Sequence, residues 1–432
     1  LFAHNNGDGV FGESGNEDII KCGSFTAGTF YGNTGDLGFE PQWFLVKEAS
    51  GQSDWIIVDN MRGLLTAATD AQGLDANNTN AEETVNIDYD TADTSVGTNG
   101  IRTFGAEQDP NETYIYVAIA RPNKPASEFA ATDLFGIDTL GSTGDGAEPG
   151  FRSTFPCDTG IRLDTSAAST EITSRLTQGT WMYTDQNSVE ATANFAQFDY
   201  SNGWGASTST ASNYYGYMFR RARGFFDVLV YKGNGTAGRT LPHNLGVTPE
   251  IIIFKNRGNN NRWTVWFSSF GTDEYIFLNE NFAKNHFGIG TGDYYLNDTS
   301  PTSSVITIGS DTAVNSSSAY QYIIYLFASA DGISKVGSYT GTGSDLNVDC
   351  GFSAGARFVL IKRTDSTGDW YLYDSSRGIV AGNDPYKFLN SNAASVTNTD
   401  YIDPLNAGFT ITSSAPAGLN ASSGTYIFLA IA

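Results

Sequence analysis

The sequence is poor in the residues on which metal centres and nucleophilic active sites depend. It has only 3 cysteines and 3 histidines in 432 residues. No two cysteines form a Cys-x-x-Cys pair, which excludes the common zinc and redox motifs. The histidines do not pair at metal-binding spacing, and none stands near an evident Ser or Cys nucleophile: His4, His243 and His286. We therefore expect a protein that is not an enzyme and holds no metal or cofactor.

Basic residues and long apolar runs are also scarce. Lys and Arg number 24 against 47 Asp and Glu, so the formal net charge is −23. Binding to a phosphate backbone needs clustered Lys and Arg, and an acidic surface is repelled by anionic membranes. No stretch approaches the roughly 18 apolar residues of a membrane-spanning helix. Nucleic acid and membrane insertion are therefore not expected.

Material for solvated helices is limited as well, because charged residues make up only 16% of the chain. Hydrophobic residues reach 40% and aromatic residues 13%, and there are 48 glycines. Most apolar residues stand in short alternating runs broken by Gly, Asn or Asp, the pattern of β-strands and turns. The composition therefore predicts an all-β protein.

A similar aromatic-aliphatic segment, typical of a β-strand, occurs four times in the sequence, at residues 114–120, 215–219, 322–328 and 426–432. The copies stand about 100 residues apart, a length typical of one small β-sandwich domain. A solenoid repeat is shorter, at roughly 20–50 residues. The sequence thus predicts about four β-sandwiches in series, with jelly-roll or lectin-like topology favoured, although strand order cannot be read from it.

The spacing assigns boundaries to these repeats. Residues 1–3 match residues 326–328, the end of a closing strand, so the segment before residue 19 is interpreted as the tail of an upstream repeat followed by a linker. On this interpretation the chain is the C-terminal part of a longer protein. The second repeat is the most divergent, and its first residues resemble a linker or arm. The predicted segments are 1–18, 19–122 (repeat 1), 123–223 (repeat 2), 224–332 (repeat 3) and 333–432 (repeat 4).

A tight turn of the form Asp-x-x-Arg-Gly occurs in repeats 1 and 4. An Asp and an Arg three residues apart can form a charge-assisted hydrogen bond across the turn, and the Gly can adopt positive φ. Because the motif recurs, we interpret it as a structural clamp rather than as a site where arginine binds a sugar or carboxylate. The clamp residues are Asp59, Arg62 and Gly63, with Asp374, Arg377 and Gly378.

Tryptophans are the candidate glycan-binding residues, because an exposed indole can stack on a sugar ring. Trp55, Trp263 and Trp370 occupy one equivalent strand position, which indicates a role in the core. Trp204 and Trp266 do not recur between repeats. They are therefore predicted to form exposed platforms for a glycan.

Acidic loops at residues 5–9 and 88–93 offer oxygen ligands of the kind that Ca²⁺ takes. Neither loop matches a calcium-binding template, so solvated turns are the favoured interpretation. A glycosidase would need two carboxylates facing one cleft. The sequence identifies no such pair, and the adjacent Glu82 and Glu83 lie in a polar loop.

Several segments resemble the tandem repeats of large virion proteins of tailed bacteriophages, notably marine ones. The similarity covers nearly the whole chain and is closest in the last repeat. It is carried by residues 351–370 (GFSAGARFVLIKRTDSTGDW), 374–378 (DSSRG) and 424–432 (GTYIFLAIA), and by the joints 219–228 (FRRARGFFDV) and 335–342 (KVGSYTGT).

The resemblance implies a tail-fibre-like structural protein of the virion, with other virion proteins and copies of itself as partners. Host attachment, through a surface glycan, would depend on avidity from many weak contacts. Two alternatives stay open: a capsid or tail decoration protein without a receptor, and a glycan depolymerase. Mapping the protein on the particle would separate the first from a tail fibre, and a reducing-sugar assay on host polysaccharide would reveal the second.

Overall fold

The structure is a computed structural model of the whole chain. It describes residues 2, 18–26, 31–34, 37–64, 71–89, 100–104, 112–140, 149–205, 213–286, 294–316 and 320–432. The segment predicted as an upstream tail and linker lies outside these residues, apart from residues 2 and 18.

The all-β prediction is confirmed. Helices within the described ranges are single turns: η1 (Ala126–Glu128), η2 (Ala131–Asp133), η3 (Arg175–Thr177) and α1 (Ala417–Asn420). Among them is no helix with the length and apolar character needed to cross a membrane. Everything else of regular structure is strand.

The strands are described in the order of the repeats predicted from the sequence. Repeat 1 contains β1 (Ile20–Thr26), β2 (Tyr31–Asn33), β3 (Pro41–Glu48), β4 (Ile56–Asp59), β5 (Ala71–Asp75), β6 (Glu83–Val85), β7 (Ile87–Tyr89), β8 (Ile101–Phe104) and β9 (Thr113–Ala120). Repeat 2 contains β10 (Phe135–Thr139), β11 (Phe151–Arg152), β12 (Thr159–Asp164), β13 (Glu171–Ser174), β14 (Thr180–Tyr183), β15 (Ala191–Thr192), β16 (Gly203–Trp204) and β17 (Tyr214–Phe219).

The last two repeats follow the same plan. Repeat 3 contains β18 (Phe226–Lys232), β19 (Arg239–Pro242), β20 (Ile251–Asn256), β21 (Thr264–Phe267), β22 (Glu274–Phe277), β23 (Asn285–His286), β24 (Val305–Ile308) and β25 (Gln321–Phe327). Repeat 4 contains β26 (Ser334–Thr340), β27 (Leu346–Asp349), β28 (Phe358–Arg363), β29 (Trp370–Asp374), β30 (Tyr386–Phe388), β31 (Ile402–Leu405), β32 (Gly408–Ile411) and β33 (Thr425–Ile431).

Each repeat has one large antiparallel sheet, and all four large sheets share one strand order. The closing strand that recurs in the sequence always lies between the first strand of the repeat and the long apolar strand. The orders are β1-β9-β3-β4-β5-β6, β10-β17-β12-β13-β14-β15, β18-β25-β20-β21-β22-β23 and β26-β33-β28-β29-β30. Smaller sheets accompany them: β2-β8-β7, β11-β16, β19-β24 and β27-β32-β31.

In repeats 2 and 4 the inner face of the large sheet packs on the small sheet of the same repeat, as a sandwich requires. In repeat 4, Val359 and Ile361 of β28 are fully buried and share a core with Val348 and Phe409 of the small sheet. Side chains alternate along a strand, so Phe358 and Leu360 point to the opposite, outer face. The large sheet of repeat 4 is therefore apolar on both of its faces.

The chain divides into two compact units. The first comprises residues 1–123 with the short segments 175–178 and 229–232, and the second comprises the remainder. The large sheet of repeat 1 therefore belongs to the first unit. The central strands of repeats 2, 3 and 4 belong to the second.

Within the second unit, buried tryptophans join neighbouring repeats. The indole Nε1 of Trp263 in repeat 3 donates to the carbonyl of Tyr183 in repeat 2, at 3.0 Å. The indole Nε1 of Trp370 in repeat 4 donates to the carbonyl of Phe277 in repeat 3, at 2.9 Å. The two bonds are equivalent, because each tryptophan holds the same position in its own sheet.

A third bond closes this series into a ring. Repeat 2 has Thr170 where the other two repeats have tryptophan, and the side chain of Thr170 is too short to reach a neighbouring repeat. Instead, the hydroxyl of Thr184 in repeat 2 donates to the carbonyl of Leu389 in repeat 4, at 2.7 Å. Each of the three repeats thus contacts both others, in a cyclic arrangement resembling a trimer within one chain.

A small apolar cavity of about 50 Å³ lies where the three outer faces meet. Residues of all three repeats line it, including Ile161, Ile172 and Phe219 of repeat 2, Ile253, Trp263 and Tyr325 of repeat 3, and Phe358, Leu360 and Trp370 of repeat 4. These sandwiches therefore share a second core in addition to their own. This differs from the expectation of sandwiches arranged simply in series.

Buried lysines reinforce the three boundaries between repeats 2, 3 and 4. Lys255, Lys362 and Lys387 are all fully buried. Each ammonium donates to backbone carbonyls of another repeat, which satisfies donors that burial would otherwise leave unpaired. The bonds run from Lys255 Nζ to Asn187 O (2.9 Å), from Lys362 Nζ to Phe282 O (2.8 Å), and from Lys387 Nζ to Ser166 O (2.9 Å) and Ala168 O (2.8 Å).

These lysines predict a pH dependence of stability. Burial lowers the pKa of Lys362 to about 7, and the pKa values of Lys255 and Lys387 to about 8, from 10.5. Between those values and 10.5 the unfolded chain binds more protons than the folded chain, so stability rises with pH. We expect the free energy of unfolding of the second unit to increase between pH 7 and pH 9 by about 1 kcal/mol for each of Lys255 and Lys387 and by about 2 kcal/mol for Lys362.

Guanidinium denaturation at the two pH values measures this effect. The Lys362→Met variant serves as the control, because it should show a smaller rise between pH 7 and pH 9 than the wild type. If the free energy of unfolding instead falls between pH 7 and pH 9, burial does not lower the pKa of these lysines.

Candidate functional site

The arginine of the turn clamp in repeat 4 is not accessible to a ligand. The Arg377 side chain is 3% exposed and that of Asp374 is fully buried. Arg377 Nε donates to Asp374 Oδ2, and the hydroxyl of Tyr217, from repeat 2, donates to the same oxygen at 2.8 Å. The clamp thus also holds repeat 2 against repeat 4. Gly378 follows it with a φ of 129°, a conformation that favours glycine.

The clamp in repeat 1 has the same bonds but a more exposed setting. Arg62 Nε donates to Asp59 Oδ2 at 2.7 Å, and the two side chains are 24% and 20% exposed. Gly63 has a φ of 111°. Asp59 also accepts the backbone N–H of Arg62, which orders the turn without any ligand.

The prediction that Trp204 forms an exposed platform is wrong. Trp204 is fully buried in repeat 2, where its ring stacks between Phe151 and Phe198 at centroid distances of 5.3 and 5.7 Å. Gly160 lies directly beneath the indole, and a Cβ there would approach it to 2.3 Å. The glycine leaves the space that the indole fills.

The same prediction for Trp266 is also wrong. Trp266 is 6% exposed and its indole Nε1 donates to the carbonyl of Gly271 at 3.1 Å. All four residues of β21 are buried, and its Val265 and Phe267 line the cavity shared by the three repeats. Neither indole is therefore available to a sugar.

Of the tryptophans interpreted as core, two are buried and one is not. Trp263 and Trp370 are 0% and 4% exposed. Trp55, at the equivalent position of repeat 1, is only half-buried. The difference arises because the outer faces of repeats 3 and 4 are packed within the second unit.

Neither acidic loop gains support as a calcium site. Asp88 is fully buried in β7, while residues 90–93 and 5–9 lie outside the described residues. Within the described ranges, no cluster of three or more His, Cys, Asp or Glu side chains could hold a metal ion.

The best candidate for a binding site is a pocket of about 250 Å³ formed by repeat 3 together with Asn187 of repeat 2, which sequence reasoning did not identify. Amide, guanidinium, carboxylate and aromatic side chains all contribute to its wall. The lining residues are Asn187, Asn260, Asn261, Arg262, Thr264, Phe277, Tyr295, Asp311 and Ala313.

Arg262 is held at the wall of this pocket by two contacts. Its guanidinium lies 5.1 Å from the ring centre of Phe277, within the range of a cation–π interaction. Its Nε donates to Glu280 Oε1 at 2.9 Å. Because Arg262 has five N–H donors in total, others are available for a ligand.

Asp311 gives the pocket a fixed acceptor. Its Oδ1 accepts the backbone N–H of Ala313 at 2.7 Å, which orients the carboxylate. Burial, together with the nearby Asp311 carboxylate, raises the pKa of Tyr295. The Tyr295 phenol therefore stays protonated and neutral at physiological pH.

One local signal could have drawn attention to this pocket. Three consecutive asparagines at 259–261 precede Arg262 in the loop between β20 and β21. Each asparagine amide can both donate and accept hydrogen bonds, so three in a row could bind a polar ligand. Such a run is equally typical of a solvated turn. The contribution of Asp311, some fifty residues away, could only come from the fold.

The fold and the site define an all-β protein of repeated antiparallel sandwiches that carries a small polar-aromatic pocket. The chain belongs to the family described as a domain of unknown function (DUF7483), whose model matches residues 19–123 and 154–432. No curated protein and no solved structure matches the chain. The interval between the two matched segments coincides with the start of the divergent second repeat.

Proposed function

We propose that this protein is a structural, tail-fibre-like component of a bacteriophage virion that attaches to a host-surface glycan through the pocket of repeat 3. The observation that carries the glycan assignment is the chemistry of the pocket wall. Support for the virion assignment comes from the resemblance of the repeats to those of phage structural proteins.

The pocket wall combines the two kinds of group that a sugar engages. The rings of Phe277 and Tyr295 offer apolar surfaces for the C–H face of a pyranose. Asn260 and Arg262 offer donors, and Asp311 offers acceptors, for its hydroxyl groups. A volume of about 250 Å³ is below the roughly 300–1,000 Å³ of sites for drug-sized ligands, which suits one sugar residue of a longer chain.

Binding fits the pocket better than cleavage does. Among its described lining residues, Asp311 is the single carboxylate. Glycoside hydrolysis generally uses a pair of carboxyl groups about 5–9.5 Å apart. The pocket therefore supplies recognition without the acid–base pair of a depolymerase.

Weak binding at one such pocket suits a protein present in many copies. A shallow site for one sugar residue gives low affinity by itself. Several copies on one particle convert later binding events into intramolecular ones, so avidity can exceed the single-site affinity by about 10²–10⁴.

Host-cell binding of the purified protein tests this proposal. We expect Arg262→Ala to reduce binding at least tenfold, because it removes donors and the cation–π contact beside the sugar. The matched control is Lys124→Ala, which removes an exposed cation of the same unit with a side chain that is 62% exposed. The control should bind like the wild type.

Two outcomes would contradict the proposal. Equal binding by the wild type, Arg262→Ala and Lys124→Ala would show that the pocket takes no part in attachment. Release of reducing ends from host polysaccharide would make the protein a depolymerase. Labelling of intact particles with an antibody against the protein separates a tail position, which we expect, from decoration of the capsid.

A further inference from the structure

The large sheet of repeat 1 has an apolar outer face that its own sandwich does not cover. Six side chains on this face are only half-buried: Trp43, Leu45, Trp55, Ile57, Val117 and Ile119. Two more are exposed, Ile115 at 40% and Leu74 at 37%. On the opposite face, Phe44, Val58 and Ala118 are all 0% exposed.

Strand register shows which residues of repeat 4 correspond to this face. Leu45 pairs with Val117 on one side and with Ile57 on the other. The corresponding trio in β28, β33 and β29 is Leu360, Leu429 and Leu372. In repeat 4 these three leucines are 8%, 4% and 0% exposed.

The equivalent face is thus a buried interface wherever the chain supplies three repeats together. In the second unit each outer face is covered by the outer faces of two other repeats, and the hydrogen bonds between them close a ring. The second unit therefore shows what covers this kind of face: two further copies of the same sheet.

We propose that the outer face of repeat 1 is a homotrimer interface, on which three copies of this chain reproduce the cyclic packing of repeats 2, 3 and 4. A closed ring of three leaves none of the equivalent faces exposed, and identical chains favour such closed symmetry. A dimer would cover each face with only one neighbour.

Repeat 1 also carries the polar groups that join the repeats of the second unit. Trp55 stands where Trp263 and Trp370 donate their indole N–H to the next repeat. The backbone N–H of Ala76 donates to the carbonyl of Trp55 at 2.7 Å, as that of Leu389 does to the carbonyl of Trp370 at 2.9 Å. The carbonyl just before Ala76, that of Asp75, is therefore the expected acceptor for Trp55 of a neighbouring copy.

Lys47 provides a second correspondence. It pairs with Ile115 as Lys362 pairs with Ile427, so the two lysines hold one register position. Lys47 Nζ donates to its own Glu48 carbonyl at 2.6 Å, as Lys362 Nζ donates to its own Arg363 carbonyl at 2.7 Å. Lys47 Nζ also donates to the Gly51 carbonyl at 3.3 Å, which leaves one of its three N–H donors for another copy. In repeat 4, Lys362 Nζ also donates to the carbonyl of Phe282 in repeat 3. In the proposed trimer, Lys47 Nζ donates in the same way to a carbonyl of another copy.

Light scattering coupled to size-exclusion chromatography tests the proposal on the full chain. We expect the wild type at micromolar concentration to have three times the chain mass of 46.4 kDa. Leu45→Glu and Ile115→Glu should each reduce the measured mass threefold, with unchanged far-UV circular dichroism. The matched control is Val380→Glu, which alters a valine that is 49% exposed in the second unit and should remain trimeric.

A monomeric or dimeric wild-type chain would overturn the proposal, as would a trimer that both face variants leave intact. If the chain is a monomer and the face becomes protected from hydrogen exchange only in a longer polypeptide with further upstream repeats, the face belongs to those repeats instead. That result would also overturn the homotrimer.

Discussion

Replacement of Leu372 by alanine is expected to lower the free energy of unfolding of the second unit by about 3–5 kcal/mol. Leu372 is fully buried, and its register partner Leu360 lines the cavity shared by three repeats. Truncation removes buried apolar contacts and enlarges an existing void. The surrounding sheets are joined to one another by hydrogen bonds, so they have little freedom to collapse into the space.

Tryptophan fluorescence during guanidinium denaturation measures this loss, because five of the seven tryptophans lie in the second unit. Val380→Ala is the control within the same repeat, since Val380 is 49% exposed and its truncation should cost less than about 0.5 kcal/mol. A cost for Leu372→Ala no larger than that of the control would mean that the outer face of repeat 4 is not packed.

Replacement of Asp374 by asparagine is expected to cost the second unit about 3–5 kcal/mol, the range for breaking a buried ion pair. The variant keeps one acceptor oxygen, which can serve the backbone N–H of Arg377, now bonded to Oδ1, but its amide NH2 then replaces the oxygen that accepts from the hydroxyl of Tyr217. It leaves the guanidinium of Arg377 buried without its counter-charge. The destabilisation should be measurable by the same denaturation experiment.

The chain contains its own matched control for this variant. Asp59→Asn changes the same motif in repeat 1, where both side chains are partly exposed and water can solvate Arg62. Exposed ion pairs are worth about 1 kcal/mol or less, so the first unit should lose little stability. Equal costs for the two variants would show that burial does not determine the strength of the clamp.

The all-β class and the repetition of the closing strand could be predicted from the sequence. The packing of the outer faces of the large sheets could not. Apolar residues at 358–361 occupy successive positions, which indicates a strand buried on both faces. The sandwich accounts for Val359 and Ile361 only. What covers Phe358 and Leu360 depends on contacts with other repeats, such as those of Phe358 with Phe135 and Tyr217, which no local pattern reveals.

The misassigned Trp204 shows a second limit. Its failure to recur suggested a surface role, whereas it fills a core that only repeat 2 has. The cause lies in Gly160 and Gly216, where a Cβ would come within 2.3 Å of Trp204 and 2.4 Å of Phe151 respectively. Complementarity between a glycine and a distant ring becomes visible only once the strands are paired.

Repeats 2, 3 and 4 are expected to unfold as one cooperative body, because they share a core. Hydrogen–deuterium exchange of the full chain, wild type against Leu372→Ala, tests it with the resolution of single repeats. We expect an equal loss of protection in β12, β20 and β28, with β3 of the first unit unchanged. A loss confined to repeat 4 would contradict it.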